Sequence, residues 1–229
     1  MVQFDYRFVG DMSCLYLHIP FCRVKCSYCS FNSQAGLESL HPRYRQALIA
    51  EIVSGRDNLE PLETLFLGGG TPTVLGVEDL SAILDTCADK YGLTEGAEIS
   101  IEANPESVDY HILSVLREAG FNRLSIGIQS LNNDELKKLG RLHDGAVATM
   151  AVKDARRAGF DNMSLDLLYG LPGQTTQSWR ETLQCALELG LRHCSAYHLT
   201  VEEGTPFHQM AAQGSLSIPV EEAVLEMDE

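Results

Sequence analysis

The sequence predicts an α/β fold in which six βα repeats form a barrel or an open partial barrel. Three observations lead there. Short apolar, β-branched runs alternate with segments of helical periodicity, the pattern of a parallel sheet covered by helices. Several helical segments end on glycine, the usual residue just past a helix C-terminus. The residues with chemical potential fall at or just after the end of a predicted strand, the face on which parallel βα barrels build their sites.

The predicted strands are residues 13–19, 64–69, 98–103, 123–129, 163–170 and 193–199. Between them lie helical stretches at 42–55, 77–92, 108–120, 144–159 and 176–190. The cysteine-rich run HIPFCRVKCSYCSF follows the first strand and Gly68-Gly69-Gly70-Thr71-Pro72 the second. Glu102 to Pro105 closes the third strand and Gln129 the fourth. Asp166 lies inside the fifth, with GLPGQT behind it, and His198 closes the sixth. No linker interrupts the run, so the expected division is an N-terminal extension (1–12), a core (13–205) and the start of a truncated C-terminal region (206–229).

Composition narrows the function class. The chain has 229 residues, 17 Lys and Arg against 32 Asp and Glu, a net charge of −15 and 45% hydrophobic residues. That excludes an intrinsically disordered chain. No apolar run reaches the roughly 18 residues of a membrane span, and the start MVQFDYRFVGD does not read as a signal peptide. The acidity argues against a nucleic acid as partner. Glu202, Glu203, Glu221, Glu222, Glu226, Asp228 and Glu229 face no Lys or Arg in the last segment, which reads as a solvated helix face. The segment PVEEAVLEMDE stops without a helix stop signal, so a missing C-terminal region is expected.

Seven cysteines, an odd number, disfavour a disulfide framework. Cys14, Cys87, Cys185 and Cys194 are scattered among apolar neighbours and read as small buried thiols. Cys22, Cys26 and Cys29 are different, because three thiolates this close can converge on one metal centre. Zinc would want a fourth ligand, with His18 the nearest candidate. An iron–sulfur cubane accepts three protein ligands if its fourth iron binds something else. A chance cluster of reduced thiols is the third reading.

The other motifs are weaker alone. A Gly-rich turn exposes backbone groups to a ligand, yet Gly68 to Pro72 is neither a phosphate loop nor GxGxxG. Glu102 reads either as a solvated carboxylate or as a partner for an ammonium or ribose hydroxyls. A carboxylate within the apolar run MSLDLLYG is costly, so Asp166 wants a partner or a ligand. Tyr16 suits either a ligand contact or barrel filling, and His143 and His198 either structure or proton donation. Nucleophilic catalysis finds no GxSxG and no HExxH.

Taken together the motifs carry a resemblance. HIPFCRVKCSYCSFNS resembles the cluster loop of radical S-adenosylmethionine (SAM) enzymes, in the branch of oxygen-independent coproporphyrinogen III oxidase and its haem-chaperone relative HemW. LFLGGGTPTVL, SIEANPES, RLSIGIQSLN, GRLHD, SLDLLYGLPGQT and SAYHLTVEEGTPF resemble that branch in the same order, over about residues 13–210. The resemblance implies a partial (βα)6 barrel of TIM type. It implies a [4Fe-4S] cluster on Cys22, Cys26 and Cys29, and SAM bound by Tyr16, Gly69, Gly70, Thr71, Glu102, Gln129, Arg141 and Asp166. A reductant protein would supply electrons, and reduction of the bound sulfonium would give a 5′-deoxyadenosyl radical. The oxidase carries a further cysteine two residues after the third, where this chain has Phe31, and a longer segment before its first strand. Both differences favour the haem-chaperone side, with haem as a further ligand and haem trafficking or porphyrin metabolism as the function. Oxidative decarboxylation of a porphyrinogen is the alternative, and an inactive truncated fragment the third. The HNxxYW motif of the chaperone's C-terminal domain does not occur in the sequence. Free thiols and an oxygen-sensitive cluster imply a cytoplasmic setting.

Overall fold

The computed structural model describes residues 13–56 and 60–228. The predicted extension 1–12 and Glu229 lie outside the described residues. The first half runs β1 (Cys14–Ile19), β2 (Phe21–Cys22), β3 (Gln34–Ala35), α1 (His41–Ser54), β4 (Leu62–Gly69), α2 (Val77–Tyr91), β5 (Leu93–Ala103) and α3 (Tyr110–Ala119). The second runs β6 (Arg123–Gln129), α4 (Asn133–Leu139), α5 (Gly145–Arg157), β7 (Asn162–Tyr169), α6 (Thr176–Glu188), β8 (His193–His198), α7 (Pro206–Ala212) and α8 (Glu221–Asp228).

Six strands form one sheet in the order β1-β4-β5-β6-β7-β8, every pair parallel. The edges β1 and β8 do not pair with each other, which leaves the barrel partial. Each predicted strand is present, and the five helices predicted between them correspond to α1, α2, α3, α5 and α6.

The sheet alternates with period two. Leu65, Leu67, Ile101, Leu124, Ile126 and Leu167 are buried against the helices in one continuous core. The opposite face carries Thr64, Ser100, Glu102, Ser125, Ser164 and Asp166. Fully wrapped parallel sheets read as unbroken apolar runs, and closed barrels fill their interior with branched aliphatics. Here the inner wall is polar, so the open barrel presents a ligand surface rather than a second core.

Side-chain caps fix where the helices begin. Asp109 Oδ1 accepts from the Ile112 amide at 2.8 Å and starts α3. Asp144 does the same for Val147 at 2.8 Å and starts α5, while Thr175 and Ser178 form a capping box for α6. Helices α4 and α7, and the small parallel pair β2–β3, are additions to the predicted elements.

Three cysteines differ from expectation. Cys87 is buried, and burial pushes its thiol up to about 12. Cys14, Cys185 and Cys194 are exposed rather than buried. The first and last lie on the two edge strands of an open sheet, where one flank has no neighbour, and Cys185 lies on the outer side of α6. The described acidic residues of the last segment are solvent-facing as expected, while Met227 of α8 returns to the core and accepts a hydrogen bond from Trp179 Nε1 at 2.9 Å.

Leu124 is 0% exposed and Leu187 is 72% exposed, so the two sites should separate cleanly. Leu124→Ala is expected to cost about 2–5 kcal/mol in urea unfolding. Leu187→Ala should stay within about 0.5 kcal/mol. Equal effects would contradict the assignment of the two faces.

Candidate functional site

The site begins where β1 and β4 end side by side. The Gly70 amide donates to Ile19 O at 2.8 Å and the Thr71 amide to Phe21 O at 2.7 Å, lashing the Gly-rich turn to the start of the cysteine loop. A Cβ on Gly70 would stand 2.5 Å from Phe21 O and 3.0 Å from Cys22 Sγ, so close approach requires glycine there. Gly69 takes φ +115, and its amide donates to Glu102 Oε2 at 3.0 Å.

A cleft of about 380 Å³ opens between this turn, the cysteine loop and the inner wall of the sheet. Cys22, Cys26 and Cys29 line it together with Gly69, Gly70, Thr71, Glu102, Gln129, Arg141 and Asp166. Tyr16 stands apart, in an adjoining cleft of about 280 Å³ with His18 and Phe31, and Gly69 and Glu102 border both. Its ring stacks on Phe66 with centroids 5.9 Å apart, and its hydroxyl donates to His18 Nδ1 at 3.0 Å. His18 Nε2 in turn donates to Asn32 O at 2.8 Å. His18, the candidate fourth ligand, therefore lies in the side cleft with Tyr16 and not in the cleft that the three cysteines line.

Arg141 binds the site together. Nη1 donates to Cys26 Sγ at 3.5 Å, and Nη2 donates to Asn104 Oδ1 at 2.7 Å and Gly127 O at 2.6 Å. Asn104 passes the chain on, donating to Thr71 Oγ1 at 2.9 Å, and Thr71 donates to Cys22 Sγ at 3.7 Å. Two of the three thiols are thus already served by hydrogen-bond donors. Arg141 Nε is buried with no partner, as is Arg45 Nε away from the cleft.

The two carboxylates are held above the usual range by burial. Glu102 is raised by burial and then by the nearby Asp166 charge, against the Gly69 amide that lowers it. Asp166 is raised by burial, against a 2.9 Å hydrogen bond from Ser125 Oγ and the charge of His193. Gln129 is the one non-glycine among the described residues with positive φ, at 70, where the β6–β7 register shifts between Gly127 and Gln129. Such strain collects at ligand sites and ends of strands.

His143 is a structural histidine. It is buried, with Nδ1 2.9 Å from Glu106 Oε2 and Nε2 donating to Ile128 O at 3.1 Å. Burial alone would raise Glu106, but the His143 hydrogen bond and the Arg141 charge hold it below the usual carboxylate range. His198 lines the cleft and is exposed. Ser125 and Gly127 line the cleft although nothing in the sequence marks them, and Glu106 backs the site through His143 without lining the cleft. Asn104 had a signal, since it lies two residues after Glu102, within the marked run from Glu102 to Pro105.

Among the described residues, no three His, Cys, Asp or Glu side chains converge on a single ion. A cubane asks for something looser, one thiolate per iron. Three thiols on one cleft, two of them accepting hydrogen bonds from Thr71 and Arg141, fit such a group.

A parallel partial barrel with three cysteines and a Gly-rich turn on one cleft at its open rim suits a protein that holds a metal cluster beside a small-molecule ligand. The comparisons place it more closely. The Radical SAM superfamily model matches residues 16–186, and the chain belongs to that superfamily. Membership implies a [4Fe-4S] cluster and SAM as cofactors. The chain is 38% identical over 221 residues to haem chaperone HemW of Bacillus subtilis, covering 95% of this chain and 58% of that one. It is 39% identical over 210 residues to haem chaperone HemW of Mycobacterium tuberculosis, covering 90% and 54%. The solved structure of coproporphyrinogen III oxidase (HemN) from Escherichia coli superposes with TM-score 0.82 at 31% identity, covering 95% of this chain and 51% of that chain. The chain is thus similar to HemW proteins over its own length, and it spans about half the length of the curated relatives it matches.

The raised carboxylates give a pH prediction. A group whose folded value is raised stabilises the fold in its protonated form and loses that contribution as pH rises through the raised value. The fold without cofactors should therefore become more stable as pH falls from neutral toward the ordinary carboxylate range. Below that range Glu106, held low, works the other way. Glu102→Gln with Asp166→Asn should raise the neutral-pH Tm by about 2–4 °C and flatten the first limb of the profile. A lower Tm in the double variant would mean the two charges are already compensated.

Proposed function

We propose that this chain is the cofactor-binding core of a HemW-like radical SAM protein acting in haem trafficking. The observation that carries it is the convergence of Cys22, Cys26 and Cys29 on the cleft formed by the Gly69-Gly70-Thr71 turn and the inner wall. In this reading the three thiolates hold a [4Fe-4S] cluster, and a reductant protein supplies its electron. When bound, cluster and SAM together supply one-electron cleavage of a sulfonium.

The chain's own residues bind, orient and shield. Gly69 and Gly70 offer uncovered backbone, and Thr71 sits between Asn104 and Cys22. Glu102 and Asp166 are short of positive partners, so a ligand with an ammonium and hydroxyl donors relieves the cost of burying them. Tyr16 with His18 walls the side cleft, and Gln129 closes the end of β6. Arg141 steadies Cys26 through Nη1 and lines the same cleft, where it borders the ligand. The core assignment 13–205, with 206–229 beginning a further region, belongs to the same reading. Among the described residues no helix is long and apolar enough to cross a membrane. Seven free thiols suit a reducing, cytoplasmic setting.

A second reading, the porphyrinogen oxidase, is favoured by the HemN superposition. Phe31 in place of that branch's additional cysteine weighs against it. Anaerobic reconstitution decides the core of the proposal. About four iron and four sulfide per chain are expected, with a reduced-cluster EPR signal that SAM perturbs and Cys26→Ala abolishes. Absence of iron, or zinc in its place, would sink the reading. Conversion of coproporphyrinogen III to protoporphyrinogen IX would move the chain to the oxidase.

A further inference from the structure

We propose that Phe207, with the short helix α7 that it anchors, is a positioning latch for the cysteine loop. Ser27 lies between Cys26 and Cys29, and both of its backbone groups are tied to distant elements. Its amide donates to Leu139 O at the end of α4 at 3.0 Å. Its carbonyl accepts from the Phe207 amide at the start of α7, also at 3.0 Å. The loop is thus gripped from two sides, one of them more than half the chain away in sequence.

The Phe207 ring secures this grip. It is 2% exposed and sits with Leu139, Leu168, Leu171 and Leu199 in a small core separate from the main one, with Tyr28 packed against it. Tyr28 is the residue just before Cys29, so the small core to which Phe207 belongs supports the cysteine loop through side chains as well as backbone. Helix α7 is aimed by Thr205, whose hydroxyl donates to Glu202 O at 2.6 Å and accepts from the His208 amide at 3.2 Å. Pro206 then fits the first helical position.

Within the helix little else holds it down, while Leu216 and Ser217 just beyond it fasten the following segment to the small core and to the Gly173 amide. Phe207 is its one buried residue, and His208 to Ala212 are exposed. A seven-residue helix anchored through one side chain opens at low cost compared with the main core. Loop order and α7 docking are therefore one cooperative unit, and whatever displaces α7 loosens the segment from Cys26 to Cys29. The consequence for cofactor retention rests on the cluster reading above. The mechanical coupling does not.

The test is hydrogen exchange by mass spectrometry on the chain without cofactors, followed by cluster reconstitution. Phe207→Ala should speed exchange across residues 26–29 by roughly tenfold, while peptides of α6 and α8 keep their wild-type rates. Phe207→Leu should restore most of the protection. Thr205→Ala, which frays α7 without opening the small core, should give a smaller change of the same kind. Trp179→Phe, at the α6–α8 contact, should leave the loop untouched. After reconstitution, Phe207→Ala should lose iron faster than wild type on exposure to chelator. Unchanged exchange at 26–29 despite a loosened α7 would overturn the latch, and so would uniform acceleration throughout the chain. If the exchange pattern is as expected but wild type holds no iron, the latch stands and the cluster assignment fails.

Discussion

The Arg141 guanidinium reaches three parts of the molecule that are remote in sequence. It meets the cysteine loop at Cys26, the end of β5 at Asn104 and the bulged end of β6 at Gly127. Burying such a charge is expensive unless its donors are used, and here the two terminal nitrogens are. The return is geometric. Asn104 is fixed in the orientation that serves Thr71, and Thr71 in the one that serves Cys22, so one side chain sets the placement of two thiols. Removing it would strand Asn104 Oδ1 and Gly127 O, at about 1–3 kcal/mol each if they stay dry.

The rest of the site is built on the same exchange of stability for pre-organisation. The central strands keep their helix-facing side largely apolar and give much of the inner side to hydroxyls and carboxylates, with Phe66 and Leu168 as apolar exceptions. Glu102 and Asp166 repel each other and are short of water. Gln129 sits in a left-handed conformation that a glycine would adopt more cheaply. A protein selected only for stability would retain none of these, and each is placed where a ligand would contact it.

Most of this was legible in the chain because the strands are short and strongly patterned. Period-two runs such as RLSIGIQ mark both the strand and the face that will be buried. Asp166 was conspicuous for breaking such a run, and the structure gives it Ser125 as the expected partner. Helices α4 and α7 were harder, since seven residues are too few to show two turns of periodicity. Their caps were nevertheless present: Asn132 before α4, with acids first and lysines last, and Thr205-Pro206 before α7. Exposure of Cys14 and Cys194 was not legible, because an apolar strand reads the same at an open edge as in the middle of a sheet. The roles of Asn104 and Gly127 depend on three loops meeting in space, which no local pattern encodes.

The most direct test is the iron retained by Arg141→Met and Arg141→Lys after anaerobic reconstitution, with circular dichroism to verify the fold. About four iron per wild-type chain are expected, under one in Arg141→Met and an intermediate value in Arg141→Lys, at unchanged helix content. A full complement of iron in Arg141→Met, with the wild-type EPR signal, would contradict it, for the cysteine loop would then be ordered without the guanidinium that spans it.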